Sequence, residues 1–268
     1  MSNHLKPRRK SRSKPQHAPP SDGKGGNEKV YGKHSVRAAL IARPNDILKI
    51  YIAGKEDYHS EVIELAHRRN IPIFLVPWPE IEKAGKFAQD EKHQGIFCFT
   101  KPRRIYGEPD LKRLSKSKAV LLLDQVSNPQ NLATIIRSAA FFRFDAIVYM
   151  KHRAATPTAE VVRFAVGGAE MIELYCVTNL ASAMDGLADI GFTVLGLDER
   201  GERTLAQVED HQKLAFVIGA EGEGLRRKTR DHCKELVKIP GGRNGVESLN
   251  AAVAATIAMY EAKRLVIS

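Results

Sequence analysis

The sequence predicts an α/β protein in two parts: a small α/β domain over residues 29–100, then a doubly wound parallel sheet over 118–268. Three observations predict this. Short runs of consecutive aliphatics recur through the second half, each followed by a helix-like segment, as parallel strands buried on both faces require. Shorter strand-like and helix-like segments alternate in the first half. Between the halves lies a polar stretch, 101–117, with Pro102, Gly107 and Pro109, which reads as a linker.

Residues 1–28 form a basic tail of Pro, Gly, Ser, Lys and Arg with little apolar content beside Leu5. It cannot bury enough surface to offset its ordering entropy and is expected to be disordered. A helix over 33–42 ends at Arg43-Pro44, because the residue before proline avoids helical angles. A strand near 49–53, a helix near 60–69, a strand at 71–76, a short helix at 79–87 and a strand at 95–100 complete the small domain. After the linker come a strand at 119–123, a helix at 132–142 and a strand at 145–150. Thr156-Pro157 is expected to open the next helix, with threonine as cap and proline at the first position. A strand at 171–177, a helix capped by Thr178, and strands at 192–197, 214–219 and 235–239 follow. A helix near 225–233 separates the last two strands, and a long helix over 247–265 ends the chain. In such a sheet, ligands bind at the carboxyl ends of the strands.

The 268 residues carry a net charge of +11, from 42 Lys and Arg against 31 Asp and Glu. This excess points to a polyanion, either nucleic acid or an acidic membrane surface. Residues 1–27 hold seven basic residues against one acid, 28–100 eleven against ten, 101–117 six against two, and 118–268 eighteen of each. Affinity for a polyanion is therefore expected from the tail and linker, with the neutral half supplying chemistry. The three cysteines, Cys98, Cys176 and Cys233, are too far apart for a CxxC metal or redox site or a disulfide framework. Cys98 and Cys176 lie in apolar runs and read as small core residues. No apolar run is long enough to span a membrane, and the basic N-terminus lacks the apolar stretch of a secretory signal. A cytoplasmic protein without metal is the expectation.

Three strand-end segments carry the chemistry. In the first, 124–137, a polar loop with Asn128-Pro129 leads into a helix; Asn131 is placed as its cap and Arg137 lies inside it. On spacing alone, a capped helix with a surface arginine accounts for it equally. In the second, 217–225, an apolar strand runs into Gly219, Gly222 and Gly224 with Glu221 and Glu223 between them. It comes too late in the sheet for a dinucleotide fingerprint, and its carboxylates repel phosphate, so a neutral or cationic ligand suits it better. An ordinary tight turn fits as well. In the third, 239–250, Gly241, Gly242 and Gly245 form a permissive loop that brings Ser248 and Asn250 to the start of the last helix, where capping alone is a sufficient role.

Together and in this order, the segments resemble the three motifs of the SpoU (TrmH-like) RNA ribose 2′-O-methyltransferases. The matching residues are Asn128-Pro129, Asn131-Leu132 and Arg137; Gly219-Ala-Glu221 with Gly224-Leu225; and Ile239-Pro240 with Ser248-Leu249-Asn250. Tyr31-Gly32, Val36, Leu40 and His93-Gln94-Gly95 resemble that family's N-terminal substrate-binding domain in its two-domain, rRNA-type members, a domain similar to a small RNA-binding ribosomal protein. The resemblance implies a C-terminal trefoil knot, a homodimer and S-adenosylmethionine as cofactor. Gly219, Gly224, Ile239 and Leu249 then belong to the cofactor site. Arg137, Asn131, Glu221, Ser248 and Asn250 belong to the catalytic machinery, with Asn131 and Glu221 orienting Arg137. The implied reaction is methyl transfer to a ribose 2′-hydroxyl of structured RNA, with rRNA favoured by the two-domain layout. The alternatives are a tRNA 2′-O-methyltransferase and a non-catalytic RNA-binding or ribosome-assembly factor on the same fold. A nucleotide-dependent oxidoreductase is disfavoured by the missing early GxGxxG. The chain departs from the family pattern at Ala133, where glycine is usual, at Ala251-Ala252, and in a longer stretch between Pro240 and Val246.

Overall fold

A computed structural model describes residues 26–54, 56–89, 91–209, 212–242 and 248–266. The small domain runs β1 (Glu28–Tyr31), α1 (Lys33–Ala42), β2 (Ile47–Ile52), α2 (Ser60–Arg68), β3 (Ile73–Leu75), α3 (Trp78–Gly85) and β4 (Ile96–Thr100). Its sheet has the order β1-β4-β2-β3; β4 is antiparallel to both neighbours and β2 is parallel to β3. The strand β1 was not legible in the sequence, because its four residues, EKVY, show one alternation at most.

The large domain runs β5 (Ala119–Leu123), α4 (Pro129–Phe141), β6 (Ala146–Met150), α5 (Ala159–Phe164), β7 (Glu173–Val177), α6 (Leu180–Asp189), β8 (Thr193–Leu197), β9 (Arg203–Thr204), β10 (Leu214–Ile218), α7 (Arg227–Asp231), β11 (Glu235–Lys238) and α8 (Ala251–Val266). The seven strands are parallel in the order β7-β6-β5-β10-β8-β11-β9. The chain winds outward through β6 and β7, then returns to the other side of β5. That reversal opens a crevice at the carboxyl ends of the central strands. Alternate residues of β5 serve two cores, as the period of a strand requires: Leu121 and Leu123 face the helices α4, α5 and α8, and Val120 and Leu122 face α6.

Helix starts differ from expectation in a consistent way: the cap is the residue whose side-chain oxygen reaches back to the first turn. Asn128, not Asn131, caps α4 by accepting from the Gln130 amide at 2.8 Å, with Pro129 at the first helical position. Thr158, not Thr156, caps α5, and Asn179, not Thr178, caps α6. The start expected for the last helix, Glu247, lies outside the described residues.

Residues 101–117 are packed rather than free. Tyr106 adds a one-residue bridge to the edge of β7, its amide donating to the Leu174 carbonyl at 2.9 Å and its carbonyl accepting from Cys176 at 2.8 Å. A 3-10 helical run over Glu108–Lys116 then buries Leu111 and Leu114 against α6. Part of the basic charge expected to meet a polyanion is also engaged. Arg103, with 9% of its side chain exposed, pairs with Glu28 at 2.6 Å and Glu170 at 2.9 Å.

That pairing belongs to a clasp between the domains. Glu170, with 3% of its side chain exposed, also accepts from Arg43 Nε at 2.8 Å, and Arg43 reaches Glu28 at 3.1 Å. Two arginines and two glutamates thus neutralise one another at the join. Around them the core is continuous: Val36, Ala39 and Leu40 of the small domain share one apolar cluster with Val162, Ala165 and Ala169 of the large one. Gly167, at φ +87°, permits the approach, since a Cβ there would stand 2.7 Å from that of Ala38. Removing one member of a buried ionic group strands the others, at a cost of about 3 kcal/mol or more. Glu170→Ala is therefore expected to lower the unfolding free energy by about 3 kcal/mol in a urea titration.

Candidate active site

The carboxyl ends of β8, β10 and β11 open into one cavity of about 920 Å³, within the range of small-molecule sites. Its walls come from Leu197–Arg200, from the loop 218–224, and from 238–242 with Ser248 and Leu249 at the approach to α8. Ile218, Ile239, Leu249 and Ala254 give it an apolar side; Asp198, Glu199 and Glu223 give it carboxylates.

The loop after β10 is closed on itself. The Gly224 amide donates to the Ala220 carbonyl at 3.0 Å, and those two residues form an antiparallel bridge. A Cβ on Gly219 would lie 2.2 Å from the carbonyl carbon of Gly224, so no side chain fits where the two backbones meet.

Glu221, at the tip, ties three segments together. Its Oε1 accepts from Asn131 Nδ2 at 2.7 Å and from Asn250 Nδ2, and Asn250 Nδ2 also reaches Asn131 Oδ1 at 3.1 Å. Asn131 is buried in the first turn of α4, and Asn250 caps α8 by accepting from the Ala252 amide at 2.9 Å. A carboxylate is the acceptor this place needs, because it can take both amide donors at once. Glu221 is thus committed to holding the loops. Its neighbours Asp198, Glu199 and Glu223 add further carboxylates to the lining.

Of the residues singled out in the sequence, Gly219, Gly224, Ile239, Leu249, Glu221 and Ser248 line the cavity, and Asn131 and Asn250 support it through Glu221. Arg137 stands apart. Its side chain makes no hydrogen bond or ion pair with any described residue, so Asn131 and Glu221 do not orient it within one chain. It lies on the exposed face of α4 with Thr134 and Phe141, the latter 76% exposed. Ala133 is buried in the core and not at the cavity. Gly245 and most of the longer stretch before Val246 fall outside the described residues.

Two features were missed. Asp198, with 2% of its side chain exposed, sits at the end of β8 and pairs with Arg200 at 3.2 Å inside the cavity wall. The available signal was an acid directly after an apolar strand. The second is a basic rim. Lys151, His152 and Arg153 follow β6, and Arg226, Arg227 and Lys228 precede or open α7. Arg226 joins the two runs by contacting Met150 Sδ at 3.2 Å and the fully buried Asp124 at 2.7 Å. Lys151, Arg153, Arg227 and Lys228 are exposed, with no ion pair among the described residues. A formally neutral domain therefore gathers unpaired cations at the edge where its strands end. Burial pushes the Cys233 thiol up to about 12, and that of Cys98 further, so neither is a nucleophile at neutral pH. Among the described residues there is no group of side chains that could hold a metal ion, and no helix is long and apolar enough to cross a membrane.

Comparison with known proteins agrees with this geometry. Residues 118–260 match the model of the SpoU rRNA methylase family, and 29–106 match that of the RNA 2′-O ribose methyltransferase substrate-binding domain. The chain is 36% identical over 242 residues to the 23S rRNA (guanosine-2′-O-)-methyltransferase RlmB of Escherichia coli K12, covering 89% of this chain and 98% of the relative. The protein of the same name from Pseudomonas aeruginosa is 35% identical over 243 residues, covering 88% and 96%. Among solved structures, the SpoU methyltransferase AviRb of Streptomyces viridochromogenes has the same fold, with a TM-score of 0.73 at 23% identity and 90% of each chain covered. An AdoMet-bound rRNA methyltransferase from Sinorhizobium meliloti also superposes with a TM-score of 0.73, at 20% identity over 91% of this chain and 89% of that one. With three motif segments joined at one cavity and both domains matched along nearly their full length, the chain belongs to the SpoU rRNA methylase family.

Proposed function

We propose that the protein transfers a methyl group from S-adenosylmethionine to a ribose 2′-hydroxyl of ribosomal RNA in the cytoplasm. The observation that carries this reading is the Asn131–Glu221–Asn250 tie, which brings three motifs distant in sequence to one cavity. The cavity suits the cofactor: apolar residues and loop backbone for the adenosine, and Glu199 and Glu223 for the cationic end, while Asp198 is engaged by Arg200. When bound, S-adenosylmethionine supplies an electrophilic methyl group. Gly219, Gly224, Ile239 and Leu249 would hold it, and the loops after β10 and β11 are read as threads of the trefoil knot that the family resemblance implies.

The remaining work belongs to polar side chains. Ser248 lines the cavity, where its hydroxyl can hydrogen-bond the substrate. A guanidinium offers five N–H donors and no ready acceptor lone pair, which suits Arg137 to binding an anion more than to taking a proton. Its part is to hold the phosphate beside the reacting ribose and favour the developing alkoxide, leaving the proton to water or phosphate. Its exposed position on α4 supports a reading in which it serves a second copy. Phe141 and Tyr260 are 76% and 62% exposed, and Val253 lies two turns before Tyr260 on the same face of α8. An apolar face of this kind is what a homodimer covers, and Arg137 beside it would reach the partner's cavity.

Purified protein given labelled cofactor and unmodified 23S rRNA is expected to deposit a 2′-O-methyl group. RNA binding without cofactor binding would instead favour a non-catalytic assembly factor. Arg137→Ala is expected to lower methyl transfer by about 100-fold or more with cofactor affinity kept. Mixing Arg137→Ala and Glu221→Ala subunits is expected to restore about a quarter of wild-type activity, since half the dimers then contain one intact composite site. No restoration would mean that each chain uses its own arginine. Neutralising Lys151, Arg153, Arg227 and Lys228 together is expected to reduce the slope of log affinity against log salt by about 3, as loss of phosphate contacts requires.

A further inference from the structure

The small domain carries a feature that the transfer chemistry does not use. The carboxyl ends of β1, β2 and β3 and the amino end of β4 lie at one end of its sheet. Trp78, the only tryptophan of the chain, follows β3 there and is 49% exposed. Its indole is fixed from behind. A Cβ on Gly95 would lie 2.9 Å from its Cζ3, one on Gly54 would lie 3.9 Å from the same atom, and the His93 ring packs at 5.2 Å between centroids. Tyr58, which follows β2 at the same end of the sheet, is 56% exposed, with Lys33 Nζ 4.3 Å from its ring centroid. The Lys33 amide donates to Gln94 Oε1 at 3.0 Å, which joins the tyrosine and lysine to the turn that backs the indole.

Rigid, half-exposed aromatic rings beside a cation are suited to stacking an unpaired base. The charges nearby choose between base and phosphate. Glu80 and Glu82 stand on the same helix as Trp78, and Glu82 lies 4.0 Å from His93 Nε2, so a phosphate at the indole would be repelled while the face of a base would not. The platform is also continuous with the catalytic half. Ala159, at the start of α5, packs in the cluster of Tyr31 and Ala53, and the loop leading into α5 begins with Lys151 and Arg153 of the basic rim.

We propose that Trp78, with Tyr58 and Lys33, stacks an unpaired nucleobase of the RNA while the basic rim takes the phosphates toward the cavity. The substrate is then a loop or bulge and not a continuous duplex. This rests on the reading of the protein as an RNA methyltransferase, and its test is separable from that reading. The lone tryptophan is its own probe. Wild-type protein is titrated with a short RNA stem–loop bearing unpaired adenines, and with the same stem as a closed duplex, while indole fluorescence is followed. The stem–loop is expected to quench the emission and the duplex to leave it unchanged. Trp78→Ala is expected to weaken stem–loop binding by about 5- to 150-fold, the range of one stacked base, with Trp78→Phe intermediate and cofactor affinity unchanged in both. Binding of the stem–loop without quenching, or with equal affinity in Trp78→Ala, would overturn the proposal even where methyl transfer to 23S rRNA proceeds. Quenching by the stem–loop in a protein that transfers no methyl group would uphold the platform and remove the enzymatic reading.

Discussion

The arrangement of the site depends on one carboxylate receiving two amides. Without Glu221 at the tip of the loop after β10, the start of α4 and the start of α8 would have no common partner. The geometry is economical in charge. The carboxylate is satisfied by neutral donors, so holding the loops adds no cation beyond Arg200 and Lys238 to the lining. The same logic explains the glycines beside it. The loop must fold back so that Glu221 reaches both asparagines, and Gly219 allows the backbones to meet.

A second constraint sets how the small domain serves the large one. A flexible linker would let the RNA-binding part search for substrate independently. Instead, the Glu28–Arg43–Arg103–Glu170 group and the continuous apolar cluster fix the two at one angle. An RNA segment docked on the small domain is therefore presented to the cavity in a fixed register, which is how remote binding energy becomes positioning.

The fold class, most elements and the strand-end location of the site were legible because consecutive aliphatics leave little freedom. AVLLL and LAFVI are too short for a helix and too apolar for a surface, so they read as buried strands. Caps were misplaced by one to three residues because several polar residues in a row can all serve, and only backbone direction selects among Thr156, Thr158, Asn128 and Asn131. The packed state of 101–117 was hidden because Leu111 and Leu114 are too few to outweigh a polar composition, and Arg103 finds its partners 67 and 75 residues away in sequence. The basic rim was invisible to segment charge counts, which average over cations that the sheet gathers at one edge and acids that it sends elsewhere. The isolation of Arg137 from the tie could not be read from motif order, which ignores the turn of the helix between positions 131 and 137.

The order of strands has a bearing on how the chain is made. β10 lies between β5 and β8, so the sheet stays split until residues 214–218 have been synthesised. Before that, β5 and β8 each present a bare edge of unpaired amides and carbonyls flanked by aliphatic side chains, a surface prone to self-association. The Asn131–Asn250 contact then closes a loop of 119 residues, later still. Insertion of β10 is therefore the step that removes both edges at once.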